Sequence, residues 1–583
     1  MFKLKWAKPL YILKLQERFS LPEDFFMLIL SACVGVIGGF TLVLYHHVLD
    51  DVNYFFFQLF PSWFPLALRD YVPIIVPALG GLLIGSIFLF VKRYEKEYGA
   101  PAIMDAVVNN GGYMPKRLTV ITFIASIVCI ASGGSVGKEG PSILIGAGIA
   151  SFIGYKLNLS SDRLRLLVGA GAATGLAAAF NVPIAAAIFA FEIIMADFSM
   201  RAFSPVIIAS VFSTTISRMY ISDAPVFEIT AYKLNSPLEL PLYMILGLIG
   251  GYLGVLFIRS FRYTHNVFKS IQLPDLVKTI IGFLIVGVLG FFFNEVYGFD
   301  DQVINNIIGG NYTIGIAFIL ILIKMLATNI SLGCGGIGGL FTPTLIIGGL
   351  YGFSFGLGVN YLFPEITAPP GAYAVVGMAV LSTGVQHAML SSIMMIFECT
   401  SDYHIMLPLM VSVVPAILIS RNINKNSIYT MQFEFWGDRI ARGRNVEILE
   451  KMSVEPIINT TDISIHEHTP LLGIINKFME TNVVSFPVIR DDRTIVGIIS
   501  LQDIRSIMFE DHVHSLLIAS DVAKNSIVVI HDNENFEQAF NKFDVGDYDT
   551  IPVVYAGTKT LRGIISRDDL MKTYRKELLF NGT

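Results

Sequence analysis

The sequence predicts an all-α polytopic membrane domain followed by a smaller α/β domain, and three observations support this fold class. Of the 583 residues, 54% are hydrophobic and only 15% are charged, whereas soluble domains carry roughly 25% charged residues. Apolar stretches with few or no charges recur through most of the chain. After about residue 430, charges become frequent and the apolar runs shrink to four or five residues, which is typical of short alternating strands and helices.

The apolar stretches are the candidates for membrane-spanning helices. A spanning helix needs about 20 apolar residues, and several of the stretches are shorter than that. Glycine and proline interrupt them, so we expect tilted and discontinuous helices that meet inside the membrane. The stretches lie at about 25–48, 72–91, 118–132, 167–190, 241–258, 280–293, 312–323, 335–350, 371–397 and 406–420.

Charges near the N-terminus predict the orientation in the membrane. Lys3, Lys5, Lys8, Lys14 and Arg18 precede the first apolar run, and the positive-inside rule places such a segment in the cytoplasm. A small-residue cleavage site does not follow the run, so we do not expect a signal peptide. Both termini of this multi-pass protein are therefore predicted to be cytoplasmic.

Cysteine usage and net charge exclude several kinds of site. Cys33, Cys129, Cys334 and Cys399 lie in apolar surroundings without the paired spacing of metal sites or disulfides, so we predict buried thiols and no metal site. The formal net charge is −5, which indicates neither a nucleic-acid partner nor a polybasic lipid-binding tail. The expected surroundings of the apolar part are membrane lipid.

The C-terminal domain contains a repeat with a period of about 65 residues. Ser485-Phe-Pro-Val-Ile returns as Thr550-Ile-Pro-Val-Val, and Gly497-Ile-Ile-Ser returns as Gly563-Ile-Ile-Ser. Each copy combines strand, turn, strand and helix patterns. The sequence therefore predicts two copies of one small α/β module.

The membrane domain is also duplicated. Gly133-Gly-Ser-Val-Gly-Lys-Glu-Gly-Pro reappears 202 residues later as Gly335-Gly-Ile-Gly-Gly-Leu-Phe-Thr-Pro. The segment from Asn181-Val-Pro to Glu192 matches the segment from His387-Ala-Met to Glu398 at a shift of 206. Duplicated membrane units with glycine-rich breaks at matching places predict a binding site between the repeats, near the membrane midplane.

Both glycine-rich segments have the features of helix starts. Glycine permits a sharp turn and a close approach, and proline is tolerated in the first turn of a helix. A helix start presents unpaired backbone N–H groups and about half a positive charge, which favour an anion. Two such starts that converge in the membrane would form a dehydrated anion site. The alternative is a pair of glycine-rich packing segments, which the duplication disfavours.

These motifs resemble those of a known family. Gly137-Lys-Glu-Gly-Pro, Asn181-Val-Pro, Gly339-Leu-Phe-Thr-Pro, Phe397-Glu and Ser427-Ile-Tyr stand in an order similar to the signatures of the CLC chloride channel and transporter family. The C-terminal repeat resembles the CBS module, which packs as a pair. The resemblance implies inverted repeats, and a homodimer with one chloride pathway per subunit. The predicted domains are a cytoplasmic segment 1–20, a CLC-like transmembrane domain 21–430, a linker 431–445, and CBS modules 446–510 and 511–583.

The resemblance implies that backbone amides at the two helix starts coordinate chloride and that Glu139 is the gating glutamate. Its carboxylate would compete with the anion, and protonation would release it. A lone carboxylate in an apolar span is costly unless it has a functional partner, although a glutamate that merely caps its helix is the alternative. The implied anion-binding positions are Lys138, Glu139, Gly140, Leu340, Phe341, Tyr429 and Tyr98.

Two positions depart from the family pattern. Where the family usually has Gly-Ser-Gly-Ile-Pro, this chain has Glu97-Tyr-Gly-Ala-Pro, so the longer Tyr98 hydroxyl replaces that of serine. Exchangers of the family usually carry a second acid where this chain has Ile193, directly after Glu192. Isoleucine cannot pass protons, so the sequence favours a passive chloride channel over a proton-coupled chloride antiporter, unless Glu192 or water substitutes.

The CBS pair offers a possible regulatory site for an adenine nucleotide. Ser500 with Asp503 and Ser566 with Asp569 have the Ser-x-x-Asp spacing used by nucleotide-binding modules. The same spacing also suits an ordinary helix cap, and many CBS pairs serve only as dimerisation surfaces. Neither a required cofactor nor an enzyme activity is predicted, because the membrane segments pair no nucleophile with a base. A CBS-containing magnesium transporter is the alternative of another class, disfavoured because it needs acidic residues along a cation path.

Overall fold

The structure is a computed structural model that divides into two compact units, residues 1–440 and 441–583. Tyr98 lies outside the described residues. Most of the predicted linker lies outside them too, so the predicted domain boundaries stay predictions. The described residues are 23–89, 99–198, 200–227, 234–298, 301–436, 452–460, 464–481, 483, 485–505, 507–508, 516–524, 527–546, 549–570 and 572–573.

The first unit is entirely helical where it is described. Nine of its described helical segments are long and apolar enough to cross a membrane, and the segments Pro183–Met195 and Met389–Thr400 are apolar but shorter. The helices are α1 (Glu23–Tyr54), α2 (Phe60–Ser62), α3 (Leu66–Arg69), α4 (Val72–Leu89), α5 (Ala100–Val108), α6 (Lys116–Ala131), α7 (Glu139–Lys156), α8 (Ser161–Phe180), α9 (Pro183–Phe189), α10 (Met200–Tyr220), α11 (Leu240–Ser270), α12 (Asp275–Phe292), α13 (Asp301–Ile308), α14 (Ile314–Gly333), α15 (Phe341–Leu362), α16 (Pro370–Gln386), α17 (Met389–Thr400), α18 (Met406–Ile423) and α19 (Ile428–Trp436).

Matching glycines pack the corresponding helices of each repeat in the same way. In the first repeat α7 packs on α8, and Gly146 lies so close to Gly171 that a Cβ on either would collide with the backbone of the other. In the second repeat α15 packs on α16, and Gly348 faces Gly377 equally closely. Small residues of this kind let membrane helices approach closely. The internal repeat in the sequence therefore corresponds to the same close helix–helix contact in both halves of the membrane domain.

The second unit consists of two similar modules. In the first, β1 (Ile465–His466) pairs in parallel with β2 (Ser485–Ile489), which pairs antiparallel with β3 (Ile495–Ser500). In the second, β4 (Ile530–His531), β5 (Thr550–Val554) and β6 (Leu561–Ser566) repeat this order and these directions. The helices are α20 (Leu471–Glu480), α21 (Leu501–Ile504), α22 (Ala519–Val522) and α23 (Phe536–Gly546).

The two modules contact each other through backbone hydrogen bonds. Ile495 donates to the carbonyl of Lys559 at 3.0 Å, and Leu561 donates to the carbonyl of Arg493 at 2.9 Å. The prediction of an all-α membrane domain followed by a pair of α/β modules is confirmed. One detail was wrong: Cys33 is exposed on α1, whereas the other three cysteines are buried. Apolar sequence surroundings do not separate a packed face of a spanning helix from its outer face.

Candidate functional site

The two glycine-rich helix starts meet in the membrane unit. Gly137 donates its N–H to the carbonyl of Gly339 at 2.9 Å, and Gly339 donates to the carbonyl of Gly137 at 2.7 Å. The next turn needs glycine too, because a Cβ on Gly140 would lie 2.9 Å from the Gly339 Cα. Helices α7 and α15 begin two residues after this bridge, so the free N–H groups of both converge on one place.

The Glu139 side chain lies on the start of α15, across the bridge from its own helix. Its Oε1 accepts hydrogen bonds from the Phe341 N–H at 2.5 Å and the Thr342 N–H at 3.3 Å. Its Oε2 accepts from the Thr342 hydroxyl at 3.0 Å. The residue is only 2% exposed. All three donors are neutral, so the carboxylate is held by helix-terminal dipoles rather than by a cation.

A cavity of about 440 Å³ reaches Glu139 from one side. It brings together Glu139, Gly140, Leu340 and Tyr429, four of the predicted anion-binding positions. Tyr98 lies outside the described residues. Further along, the lining carries charged and polar side chains, of which Lys278 lies 3.8 Å from Asp275. These residues are Lys269, Lys278, His265, Asp275 and Gln432.

Lys138 and Phe341 are not part of the cavity lining. The Lys138 side chain points toward α1, where its Nζ lies 2.9 Å from His46 Nε2. The Phe341 ring packs edge-on against Phe180, with centroids 5.7 Å apart, and its N–H is occupied by Glu139. The backbone of both positions stays next to the site, whereas the two side chains serve other contacts.

Tyr429 and Ile193 are both buried. Tyr429 is 7% exposed in the first turn of α19, and its ring meets the edge of Phe189 at 6.5 Å. Ile193 is also 7% exposed and lies in the π-helical turn Ala190–Met195 that continues α9. An apolar side chain therefore fills the position where the family resemblance implies a proton-carrying acid in exchangers.

The repeat-related acids Glu192 and Glu398 cap each other's short helices. Glu192 accepts hydrogen bonds from the Leu390 N–H at 3.2 Å, and from the N–H and hydroxyl of Ser391 at 2.8 and 2.6 Å. Glu398 accepts from the Ile184 N–H at 3.0 Å and the Ala185 N–H at 2.6 Å. Each carboxylate thus stabilises the N-terminus of the other repeat's short helix.

The Ser and Asp pairs of the CBS modules act as local helix caps. The Ser500 N–H and hydroxyl donate to Asp503 Oδ2 at 2.9 and 2.6 Å, and Lys524 lies 2.5 Å from Oδ1. Burial raises the pKa of Asp503, but the hydrogen bonds from Lys524 and Ser500 outweigh it and hold that pKa below its usual range. In the second module the Ser566 hydroxyl donates to Asp569 at 2.7 Å.

Comparisons with known proteins place these features in a family. The family described as "Voltage gated chloride channel" matches residues 80–421, and "CBS domain" matches residues 454–510 and 519–576. The chain is 30% identical over 409 residues to "Putative chloride channel protein ClcB-like" of Ralstonia nicotianae, covering 69% of this chain and 95% of that protein. It is 27% identical over 426 residues to "H(+)/Cl(-) exchange transporter ClcA" of Vibrio campbellii, covering 71% and 90%.

Solved structures share the fold. A "slow cyanobacterial Cl-/H+ antiporter" superposes with a TM-score of 0.66 at 23% identity, covering 71% of this chain and 98% of that one. The matched family region, the converging helix starts and the C-terminal module pair agree with one another. The chain therefore belongs to the voltage-gated chloride channel (CLC) family and is an integral multi-pass membrane protein with a C-terminal pair of CBS domains.

Proposed function

We propose that this protein conducts chloride passively and that Glu139 is its gate. The observation that carries the proposal is the contact of the Glu139 carboxylate with the N–H groups of Phe341 and Thr342. A chloride ion at the converging helix starts would use the same donors, so carboxylate and anion exclude each other. Neutral dipoles also bind an anion weakly enough for it to leave.

The acids near Ile193 favour conduction without proton coupling. Ile193 carries no proton, and the neighbouring Glu192 carboxylate is engaged by three donors at the start of α17. A proton on Glu192 would weaken these hydrogen bonds, because one to a charged group is worth about 1.5–3 kcal/mol and one to a neutral group about 0.5–1.5 kcal/mol. Neither side chain is therefore suited to relay protons from the cytoplasm.

The second candidate is proton-coupled chloride exchange. A relative is named an H(+)/Cl(-) exchange transporter, and a structure with the same fold is titled an antiporter. Water in place of a second acid would be needed for this mechanism here. Membership of the voltage-gated chloride channel family, together with anion-favouring helix starts, sets the magnesium-transporter alternative aside.

Flux measurements on the full-length protein in liposomes test the proposal. Under a chloride gradient with the voltage clamped by a potassium ionophore, we expect chloride efflux without proton uptake. Glu139→Gln removes the charge that competes with the anion, so efflux should lose its dependence on pH. Glu365→Gln, which removes an exposed carboxylate in a turn, is the matched control and should behave as wild type. Uphill proton movement would establish exchange instead, and absence of chloride flux would refute both candidates.

The assembly and the tail complete the proposal. The protein forms a homodimer with one chloride pathway per subunit and cytoplasmic termini, as the family resemblance implies.

Adenine nucleotide binding at Ser500, Asp503, Ser566 and Asp569 would require the ligand to compete with the caps that these residues form. Calorimetric titration of the wild type and of Asp503→Asn with ATP tests this binding. Equal heats of binding in the two proteins would show that Asp503 does not bind the nucleotide.

A further inference from the structure

The Lys138 side chain enters a polar cluster on α1 whose residues do not line the cavity. Lys138 is 4% exposed, and its Nζ lies 2.9 Å from His46 Nε2. His46 Nδ1 lies 3.7 Å from Asp50 Oδ2, and the exposed fraction of the side chain rises from 16% at His46 to 65% at Asp50. The three residues connect the backbone next to the gate with an accessible carboxylate.

The position of His46 along α1 places this carboxylate at a membrane boundary. The apolar run begins at Phe25, and about 20 helical residues cross the hydrocarbon core. His46 and Asp50 follow at that distance, where the sequence turns polar at Asp50-Asp51. Protons from the aqueous phase on that side can therefore reach Asp50 and, through it, His46.

The contact between Lys138 and His46 requires a neutral imidazole. An ammonium group only donates hydrogen bonds, so Nε2 of His46 must accept and its proton must sit on Nδ1, toward Asp50. A protonated imidazole has two donors and no acceptor. Protonation would also bring two positive charges to within 2.9 Å in a buried place, where repulsion is poorly screened. Protonated His46 and this position of Lys138 therefore exclude each other.

Other ionisable groups lie on α1 and on the elements packed against it. On the helices packed against α1, Ser126 of α6 is bonded to Tyr45, and Thr174 of α8 is bonded to the carbonyl of Ala170. Arg218 of α10 is bonded to Asn181 and paired with Asp223. Within the described residues, the ionisable groups near the cluster include Tyr45, His47, Asp50 and Asp51 on α1, Lys138 and Glu139 at the start of α7, and Arg218.

We propose that His46 is a proton-operated positioning residue for the gate, an inference that rests on the proposed function. Neutral His46 anchors Lys138, the residue directly before Glu139, and so keeps the start of α7 in the geometry that places the carboxylate on Phe341. Protonated His46 releases Lys138 and loosens that geometry. Acid on the Asp50 side then opens the pathway through His46, in addition to any protonation of Glu139 itself.

Chloride efflux from liposomes as a function of pH on the Asp50 side tests the inference. Protonation of His46 would displace Lys138, so efflux should rise as the pH on the Asp50 side falls from about 8 to about 5.5. His46→Gln keeps an acceptor for Lys138 but takes up no proton, so the rise in efflux over this range should be lost. His47→Gln is the matched control: its imidazole is bonded to the carbonyl of Val43 and not to Lys138, so the variant removes a second histidine beside Asp50 and should still show the rise.

Two further variants separate positioning from a general structural role. Asp50→Asn removes the carboxylate that favours a charged His46 imidazole, so the pH of half-maximal chloride efflux should fall. Asp50 is exposed, so this variant should fold and can test the inference even if His46→Gln does not fold. In a Glu139→Gln background no carboxylate remains to be positioned, so adding His46→Gln should change nothing. A wild-type pH profile of efflux in both His46→Gln and Asp50→Asn would overturn the inference. So would an equal effect of His46→Gln on efflux in the wild type and in Glu139→Gln. Neither result would affect the proposed function. Absence of chloride flux from the wild type would overturn the proposed function as well.

Discussion

Replacing Thr342 by valine removes one of the three hydrogen bonds that hold the Glu139 carboxylate. The Thr342 hydroxyl donates to Oε2 at 3.0 Å, and valine keeps the branched shape and the backbone N–H. A hydrogen bond to a charged group is worth about 1.5–3 kcal/mol. We use the lower value, about 1.5 kcal/mol. A chloride ion bound at the same amides would also lose its hydrogen bond from the Thr342 hydroxyl, which partly offsets the effect of the substitution. Since 1.4 kcal/mol corresponds to a factor of ten, we expect about a tenfold shift toward the released carboxylate.

Initial chloride efflux from liposomes at neutral pH measures this shift. Where the blocked position dominates, Thr342→Val should raise the efflux rate by up to about tenfold. Thr344→Val is the matched control, because the Thr344 hydroxyl is buried on the same helix but donates to the carbonyl of Phe341 at 2.6 Å. If Thr342→Val conducts at the wild-type rate while Glu139→Gln conducts faster, the hydroxyl does not hold the gate. An equal increase in Thr344→Val would attribute the effect to packing.

Three other substitutions test separate parts of the structure. Ile193→Glu supplies the missing acid, so proton uptake driven by chloride should appear; its absence would show that this position does not limit coupling. Glu398→Gln weakens the cap of α9, and thermal unfolding in detergent should report a loss of about 1 kcal/mol; an unchanged midpoint would contradict that role. Asp503→Asn should increase hydrogen exchange at β3 and α21 at pH 7. Because the pKa of Asp503 is lowered, its contribution is present above about pH 3.9 and is lost as pH falls through that lowered value, so the difference from wild type should shrink below about pH 4.

The main features of the fold could be predicted because they depend on local sequence. Glycine before a proline-containing first turn specifies a helix start wherever it occurs, so Gly137 and Gly339 could be recognised 202 residues apart. Internal duplication then indicated that the two starts meet, and their backbones form a bridge. The paired modules were visible for the same reason, as a repeat with its strands and turns in register.

Contacts between distant side chains could not be predicted in this way. Thr342 was part of a recognised motif, yet its hydroxyl contacts Glu139 only because α15 and α7 face each other across the bridge. His46 was an ordinary residue of an apolar helix until the structure placed Lys138 against it. The match between Glu192 and Glu398 was evident in sequence, but a shift of 206 cannot reveal that each acid caps the helix of the other repeat.

The exchanged caps also bear on the transport mechanism. A proton relay needs a carboxylate that can be charged or neutral at similar free energy and that can turn between two partners. Glu192 is fixed instead by three donors at the start of α17, and its charge there is favoured by the helix dipole. Its repeat mate Glu398 accepts hydrogen bonds from two N–H groups at the start of α9. Since both acids cap helices of the opposite repeat and residue 193 is an isoleucine, a proton relay on this side would depend on water.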